Sequence, residues 1–208
     1  MQNKILEIIV DILPSSANIV EIGSGDGSLM EDIIYALGSP FPSITIFEPN
    51  VTLYNTVCSK FEDYDGDMTI NHMALGSKSG EGILRISTNH VNSSSLCKPI
   101  EHLRIWPEIR FDGKQNVRIE TLDDMYHGRN IDLLLIDTNG AELDVLAGAA
   151  KTIARTHYVL LEYQNCVIYE SGATLFDLVE ALPDFRLVCT FDDEGNYGNA
   201  LFEKVDVI

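Results

Sequence analysis

Apolar positions along the chain switch repeatedly between helical and strand spacing. Ile5, Ile8, Ile9, Ile12 and Leu13 share one face of a helix over 3–13, which Pro14 stops. "NIVEIGS" (18–24) then reads as a buried strand. "SLMEDIIYALG" (28–38) returns to helical spacing, with Leu29, Ile33 and Leu37 aligned and Gly38 as the C-terminal cap. "SITIFEPN" (43–50) is a second strand, 51–60 a helix, and 68–74 a third strand. The first third is therefore β-α-β-α-β, which implies parallel strands with right-handed crossovers.

The middle follows another pattern. "MALGSKSGEGILRIS" (73–87) reads as two short strands around a Ser/Gly turn. Residues 88–116 are polar and irregular, with Trp106-Pro107 inside. A loop that long in a compact domain is usually functional or disordered, and substrate contacts are expected there. Order returns with "NVRIETLDD" (116–124) and a fourth main strand, "IDLLLID" (131–137). A helix "AELDVLAGA" (141–149), a fifth strand "HYVLLEYQ" (157–164) and a helix "ATLFDLVEAL" (173–182) follow, the last ended by Pro183. The final strands are "FRLVCTFD" (185–192) and "NALFEKVDV" (199–207), joined by D-D-E-G-N-Y-G. That link is too short for a crossover helix, so the two must be antiparallel. The expectation is one α/β domain over 1–208, with a leading helix (1–14) and an inserted hairpin and substrate-side loop (about 76–116). Its doubly wound sheet is mostly parallel, with one reversed C-terminal strand.

Composition narrows the function. A chain of 208 residues, 45% hydrophobic, can bury roughly 70% of its unfolded surface in one domain. Its net charge of −18, from 32 acidic against 14 basic residues, argues against a phosphate backbone and an anionic membrane as partners. Cys58, Cys97, Cys166 and Cys189 show no C-x-x-C spacing and no paired His ligands, which argues against zinc. Reduced thiols in a cytoplasmic protein are the simplest account. Glu7 and Asp11 interrupt the first apolar pattern, so no signal peptide is expected there. No apolar run approaches the roughly 20 residues of a membrane span.

Ligands of open α/β sheets sit beyond the carboxyl ends of the strands. Three features fall there. V-E-I-G-S-G-D-G-S (20–28) places Gly23, Ser24, Gly25 and Gly27 between a strand and a helix N-terminus, beside an unusual in-strand acid, Glu21. Glu48 ends "ITIFE", 25 residues after Gly23, roughly the spacing for a carboxylate that accepts both ribose hydroxyls. Asp137 ends the apolar run "LLLI", and its strand is expected beside the first, facing the same crevice. The glycine pattern alone also suits a nicotinamide-dependent reductase. However, it is not G-x-G-x-x-G, the loop has no basic residue, and Glu21 and Asp26 would repel a pyrophosphate. An acidic site suits S-adenosyl-L-methionine, which carries a sulfonium and an amino group. An antiparallel final strand points the same way by analogy of fold.

At this point the sequence resembles the FkbM-type S-adenosylmethionine-dependent methyltransferases. The matching pieces stand in order: "VEIGSGDGS", "IFEPN", "MALGSKSGEGILRIS", "SSSL" (93–96), "VRIETLDD", "IDLLLIDTNGAELDVLAGA" and "VLLEYQ". They extend over about 18–164, and "NALFEK" also fits. The resemblance implies a class I methyltransferase-like (Rossmann-like), seven-stranded fold. It also implies O-methyl transfer to a hydroxyl of a small-molecule or glycan acceptor, a sugar or secondary metabolite. Glu21, Gly23, Gly25 and Gly27 would line the methionine part, and Glu48 would hold the ribose. Pro49, Asn50 and Ala74 would border the adenosine, and Asp137 would lie near the sulfonium and the acceptor. Ser94 and Ser95 would close over the site.

The family usually has an acid where this chain has Asn139, which removes one base or metal ligand and keeps the hydrogen-bonding shape. A protein of this fold that binds the cofactor without chemistry is the alternative that Asn139 motivates. An alcohol is a poor nucleophile, so a positioned base or a metal helps. Asp137 is the first candidate base; His90 and His102, in the middle loop, are others, with His102 also on the substrate side. Asp137 and Glu162, with Asn165 close by, offer oxygen ligands to Mg²⁺. Metal-independent transfer is the expectation. The sequence is silent on oligomeric state.

Overall fold

A computed structural model describes residues 2–191 and 195–205. The chain opens with α1 (Gln2–Ile12), which buries Ile5 and Ile9. β1 (Asn18–Ile22), α2 (Ser28–Leu37), β2 (Ser43–Phe47), α3 (Val51–Lys60) and β3 (Met68–Asn71) follow. Asn50 starts α3 because its side chain accepts hydrogen bonds from the Thr52 and Leu53 amides. Next come β4 (Ala74–Leu75), β5 (Gly80–Ile86), α4 (His102–Ile105), β6 (Gly113–Glu120) and α5 (Leu122–Met125). β7 (Ile131–Ile136), α6 (Glu142–Ala147), α7 (Ala150–Ile153), β8 (Thr156–Gln164), α8 (Leu175–Ala181), β9 (Phe185–Phe191) and β10 (Tyr197–Lys204) complete it.

The main sheet has the order β3-β2-β1-β7-β8-β10-β9. Pairs from β3 to β8 are parallel, and β10 runs antiparallel to both β8 and β9. This is the expected class I methyltransferase-like α/β sheet of seven strands. Leu134 and Ile136 pack on one face and Leu133 and Leu135 on the other, so "LLLI" is apolar because both faces of β7 are covered. Each such side chain contributes roughly 1.5–3 kcal/mol by leaving water. Strand order reverses between β1 and β7, and the crevice opens there. No helix of the described residues is long and apolar enough to cross a membrane.

Three expectations need correction. The two strands around the Ser/Gly turn are present as β4 and β5, but they do not pair with each other. β6 lies between them, parallel to β4 and antiparallel to β5. The β5–β6 register runs from Gly80↔Ile119 to Ile86↔Gly113, and this long ladder outweighs anything the two-residue β4 offers. The irregular segment therefore ends at Gly113 rather than 116. The helix over 141–149 stops at Ala147 and restarts at Ala150. A Cβ on Gly148 would stand 2.0 Å from the Gly76 carbonyl oxygen, so the backbone turns there against the β4 side of the molecule. "TLDD" secures that junction: Asp123 accepts from the Lys151 and Thr152 amides and the Thr152 hydroxyl, at 2.8–3.0 Å. Residues 192–194 of the final turn, and 206–207 of the last predicted strand, lie outside the described residues.

Candidate active site

β1 and β7 end side by side, with Ile22 opposite Ile136 and the Asp137 amide donating to the Ile22 carbonyl at 3.0 Å. The glycine loop starts in the gap. Gly23 has φ +81°, and a Cβ on it would lie 1.8 Å from the Asp137 carbonyl oxygen, so only glycine fits. Gly25, at φ +57°, faces the Asn92 side chain. Gly27 does not reach the crevice; it starts α2 and packs toward Phe61 and Val57. Asp26 accepts from the Ser28 amide at 3.0 Å, and its bonds to Ser28 hold its carboxyl below the usual range.

A cavity of about 260 Å³ fills the crevice. Glu21, Gly23, Ser24, Gly25, Glu48, Pro49, Asn50, Ala74, Ser94, Ser95 and Asp137 all line it, so the expected cofactor residues converge, Gly27 excepted. Glu48 is fixed by the Asn50 amide on one oxygen (2.7 Å) and the Gly25 amide on the other (3.1 Å). A carboxylate has about four lone-pair sites, so Glu48 keeps capacity for further donors such as ribose hydroxyls. Leu75 and Leu84 add an apolar wall beside Ala74.

Charge makes this crevice unusual. Burial, then the charges of Asp137, Glu48 and Asp26, push Glu21 up to about 8. Burial pushes Glu48 up to about 7, with Asp137 adding to it. Asp137 is raised by burial of its carboxyl and by Glu142, while the residue as a whole remains exposed and lines both cavities. Glu162 is raised by burial, then by Asp137 and Glu142. Glu21 Oε2, Ser24 Oγ and Asn50 Nδ2 are buried without hydrogen-bond partners among the described residues. A cluster of unneutralised carboxylates with orphaned polar atoms is a receptacle for a cation. The donor set thus fits a ligand with a cationic end and an apolar body, as S-adenosylmethionine is.

A second cavity, of about 440 Å³, meets the first at Asp137, Asn92 and Asn139. His90, His102, Trp106, Glu108, Glu162, Tyr169 and Tyr197 line it. His102 is 3% exposed and packs among Trp106, Phe111 and Tyr169, with ring centroids 4.8–5.3 Å apart. Burial lowers its pKa below the usual imidazole value. His90 Nδ1 is 3.0 Å from the Ser93 hydroxyl. Neither the Asp137 nor the Glu162 carboxylate hydrogen-bonds to another described residue. Among the described residues, no three His, Cys, Asp or Glu are grouped to hold a metal ion.

Several residues organise the site through contacts, among them Glu142 of the matched "IDTNGAE" stretch. Glu142 Oε1 accepts from the Thr138 amide (3.1 Å), the Thr138 hydroxyl (2.9 Å) and the Gly140 amide (3.0 Å), which locks the T-N-G turn. The Tyr169 hydroxyl donates to the Ser93 carbonyl at 2.8 Å. Ser94 and Ser95 line the cavity, but their hydroxyls are engaged with backbone: Ser94 with Val91 and Ser87, Ser95 with Asn139 and Cys97.

An acid-lined crevice at the switch point of a mostly parallel sheet with a reversed C-terminal strand is the arrangement of the class I methyltransferase-like fold. Within it, the chain belongs to the methyltransferase FkbM domain family, whose sequence model matches residues 22–194. A curated relative, the 2-O-methyltransferase NoeI of Sinorhizobium fredii (strain NBRC 101917 / NGR234), is 36% identical over 102 residues, covering 48% of this chain and 42% of NoeI. Methyltransferase FkbM from Methylobacillus flagellatus KT superposes with a TM-score of 0.64 at 16% identity, over 92% of this chain and 44% of that one. A SAM-dependent methyltransferase from Aquifex aeolicus gives 0.55 at 9% identity, over 98% and 89% of the two chains. At these identities the structural likeness is one of fold. The chain spans less than half the length of NoeI and of the Methylobacillus protein.

Proposed function

We propose that this chain transfers a methyl group from S-adenosylmethionine to a hydroxyl oxygen of a sugar, glycan or hydroxylated secondary metabolite. The observation that carries the reading is Asp137, which walls both the acid-lined crevice and the aromatic-lined cavity. A group that faces both can serve a reaction between their contents. The relative NoeI is named as a 2-O-methyltransferase, which supports oxygen as the methylated atom. Trp106, Tyr169 and Tyr197 offer flat apolar faces, and Asn89, Glu108 and Glu162 offer hydrogen-bonding groups, a mixture suited to a polyhydroxylated ring.

The cofactor supplies an electrophilic methyl group on a positively charged sulfur. Glu21 and Asp137 would face that charge, Glu48 would accept ribose hydroxyls, and Pro49, Asn50 and Ala74 would border the base. The protein's remaining tasks are alignment and proton removal. Transfer to R–OH would form an O–C bond as the methyl's S–C bond breaks, leaving S-adenosylhomocysteine, and would release the hydroxyl proton. Asp137 is placed to take that proton, with Glu162 on the next strand as second acceptor. Asp137, pushed up to about 7, stands in the useful range of a base near neutral pH, and Glu162 is raised as well, mainly by burial. The expected route needs no metal, so activity should persist in EDTA; loss on chelation with recovery in Mg²⁺ would overturn that part. The test of the whole reading is incubation with methyl-labelled S-adenosylmethionine and a panel of sugars and hydroxylated metabolites, read by mass spectrometry. Label on an acceptor oxygen is expected. Cofactor binding without labelled product across the panel would instead mark a binding protein of the same fold.

A further inference from the structure

We propose that Asn139 is a positioning residue whose side-chain amide clasps residues 92–95 as a strap between the two cavities. The role deepens, and rests on, the methyl-transfer reading above.

The geometry is specific. Asn139 sits at φ +54° in the left-handed region, which Asn tolerates better than most residues. Its Nδ2 donates to the Asn92 carbonyl at 2.8 Å and to the Ser94 carbonyl at 3.3 Å. Its own carbonyl accepts from the Ser95 hydroxyl at 2.7 Å. Both N–H groups of one amide therefore hold the strap, and the backbone beside that amide takes a third bond from it. Tyr169 secures the same strap from the other side, through the Ser93 carbonyl. What the strap carries matters for chemistry. Asn92 lines both cavities and faces Gly25, and Ser94 and Ser95 line the cofactor side. Asn139 itself walls both cavities beside Asp137. A displaced strap would merge two compartments that must present their contents to each other in line.

A carboxylate cannot do this work. Ionised Asp is an acceptor only, so Asp at 139 would face two carbonyl oxygens with no proton to give them. It would also add charge beside Asp137, whose proton affinity burial and Glu142 already raise, and beside Glu142, raised by burial. Asn139 is thus a required donor rather than a lost acid.

The test compares Asn139→Gly with Asn139→Asp. Glycine keeps the left-handed backbone and the bond from Ser95, and removes only the amide. In the unliganded protein, hydrogen exchange over 91–96 should quicken at least tenfold in both variants. Single-turnover transfer should fall tenfold or more in Asn139→Gly and further in Asn139→Asp. The ratio of Asn139→Asp to wild-type rates should climb as pH is lowered, because a protonated carboxyl regains one donor; a purely structural defect would leave that ratio flat. Unchanged exchange in Asn139→Gly, or wild-type turnover by Asn139→Asp at neutral pH, would overturn the proposal. If the wild-type chain neither binds S-adenosylhomocysteine nor transfers methyl, the functional reading fails, and the exchange result alone decides the clasp.

Discussion

The two cavities that meet at Asp137 are built by different means. The cofactor crevice is made from the ends of adjacent parallel strands, and its polar groups are held by nearby backbone, as Glu48 is by the Gly25 and Asn50 amides. The aromatic cavity is assembled from segments remote in the chain. Tyr169 reaches Ser93, the Ile100 amide bonds to the Ile168 carbonyl, and Pro99 bridges to Tyr169. One site is a consequence of sheet topology, built from strand ends and the turns that follow them; the other is a surface of side chains brought together by long-range contacts.

The sharpest way to break the crevice is Gly23→Ala. Its Cβ would meet the Asp137 carbonyl at 1.8 Å with the backbone at positive φ, so β1 and β7 must part. A loss of about 3 kcal/mol or more in denaturant unfolding is expected. Next, Asp137→Ala should cut single-turnover transfer roughly 10²–10⁴-fold, the usual worth of a positioned base. Its melting temperature should hold, because Asp137 is exposed and lines the cavities rather than the core. Equal losses of rate and stability would count against a catalytic role.

A smaller effect separates the regions by pH. Glu21 and Glu48 have their proton affinities raised from the ordinary 4.5 to about 8 and about 7. The fold therefore favours their protonated forms. Their stabilisation is complete below about pH 4.5 and is lost as pH rises through about 7 to 8. Melts of the unliganded protein should decline across that window, and Glu21→Gln should flatten the decline. The mildest expectation is on the acceptor side: Trp106→Ala should raise the acceptor KM several-fold while S-adenosylhomocysteine affinity and melting temperature barely move. A matching loss of cofactor affinity would show that the cavities are not separable.

The same contrast governs how far each region is legible in sequence. Asp137 stands out because a carboxylate ends a run that is apolar on both faces, and Gly23 because a strand breaks into a left-handed turn. Such signals are local, and they led to the crevice. The strand at 113–116 was hidden, since G-K-Q-N has a polar face and no apolar alternation; only its ladder to β5 makes it a strand. Gly148 looked like an ordinary helix residue until its close approach to Gly76 explained the break. Tyr169 and Asn92 act through contacts that no local spacing announces. Asn139 read as a missing acid, because its two donated hydrogen bonds go to residues more than forty positions away.

In the proposed function the carboxylate-lined crevice between β1 and β7 receives the cation of S-adenosylmethionine. Calorimetric titration of the unliganded chain, repeated in buffers of different ionisation enthalpy, tests it most directly. The expected result is one S-adenosylmethionine per chain, bound more tightly at about pH 8 than at about pH 6, with net proton release as the raised carboxyls ionise against the bound charge. No binding at either pH, or binding of NADH in its place, would contradict the account.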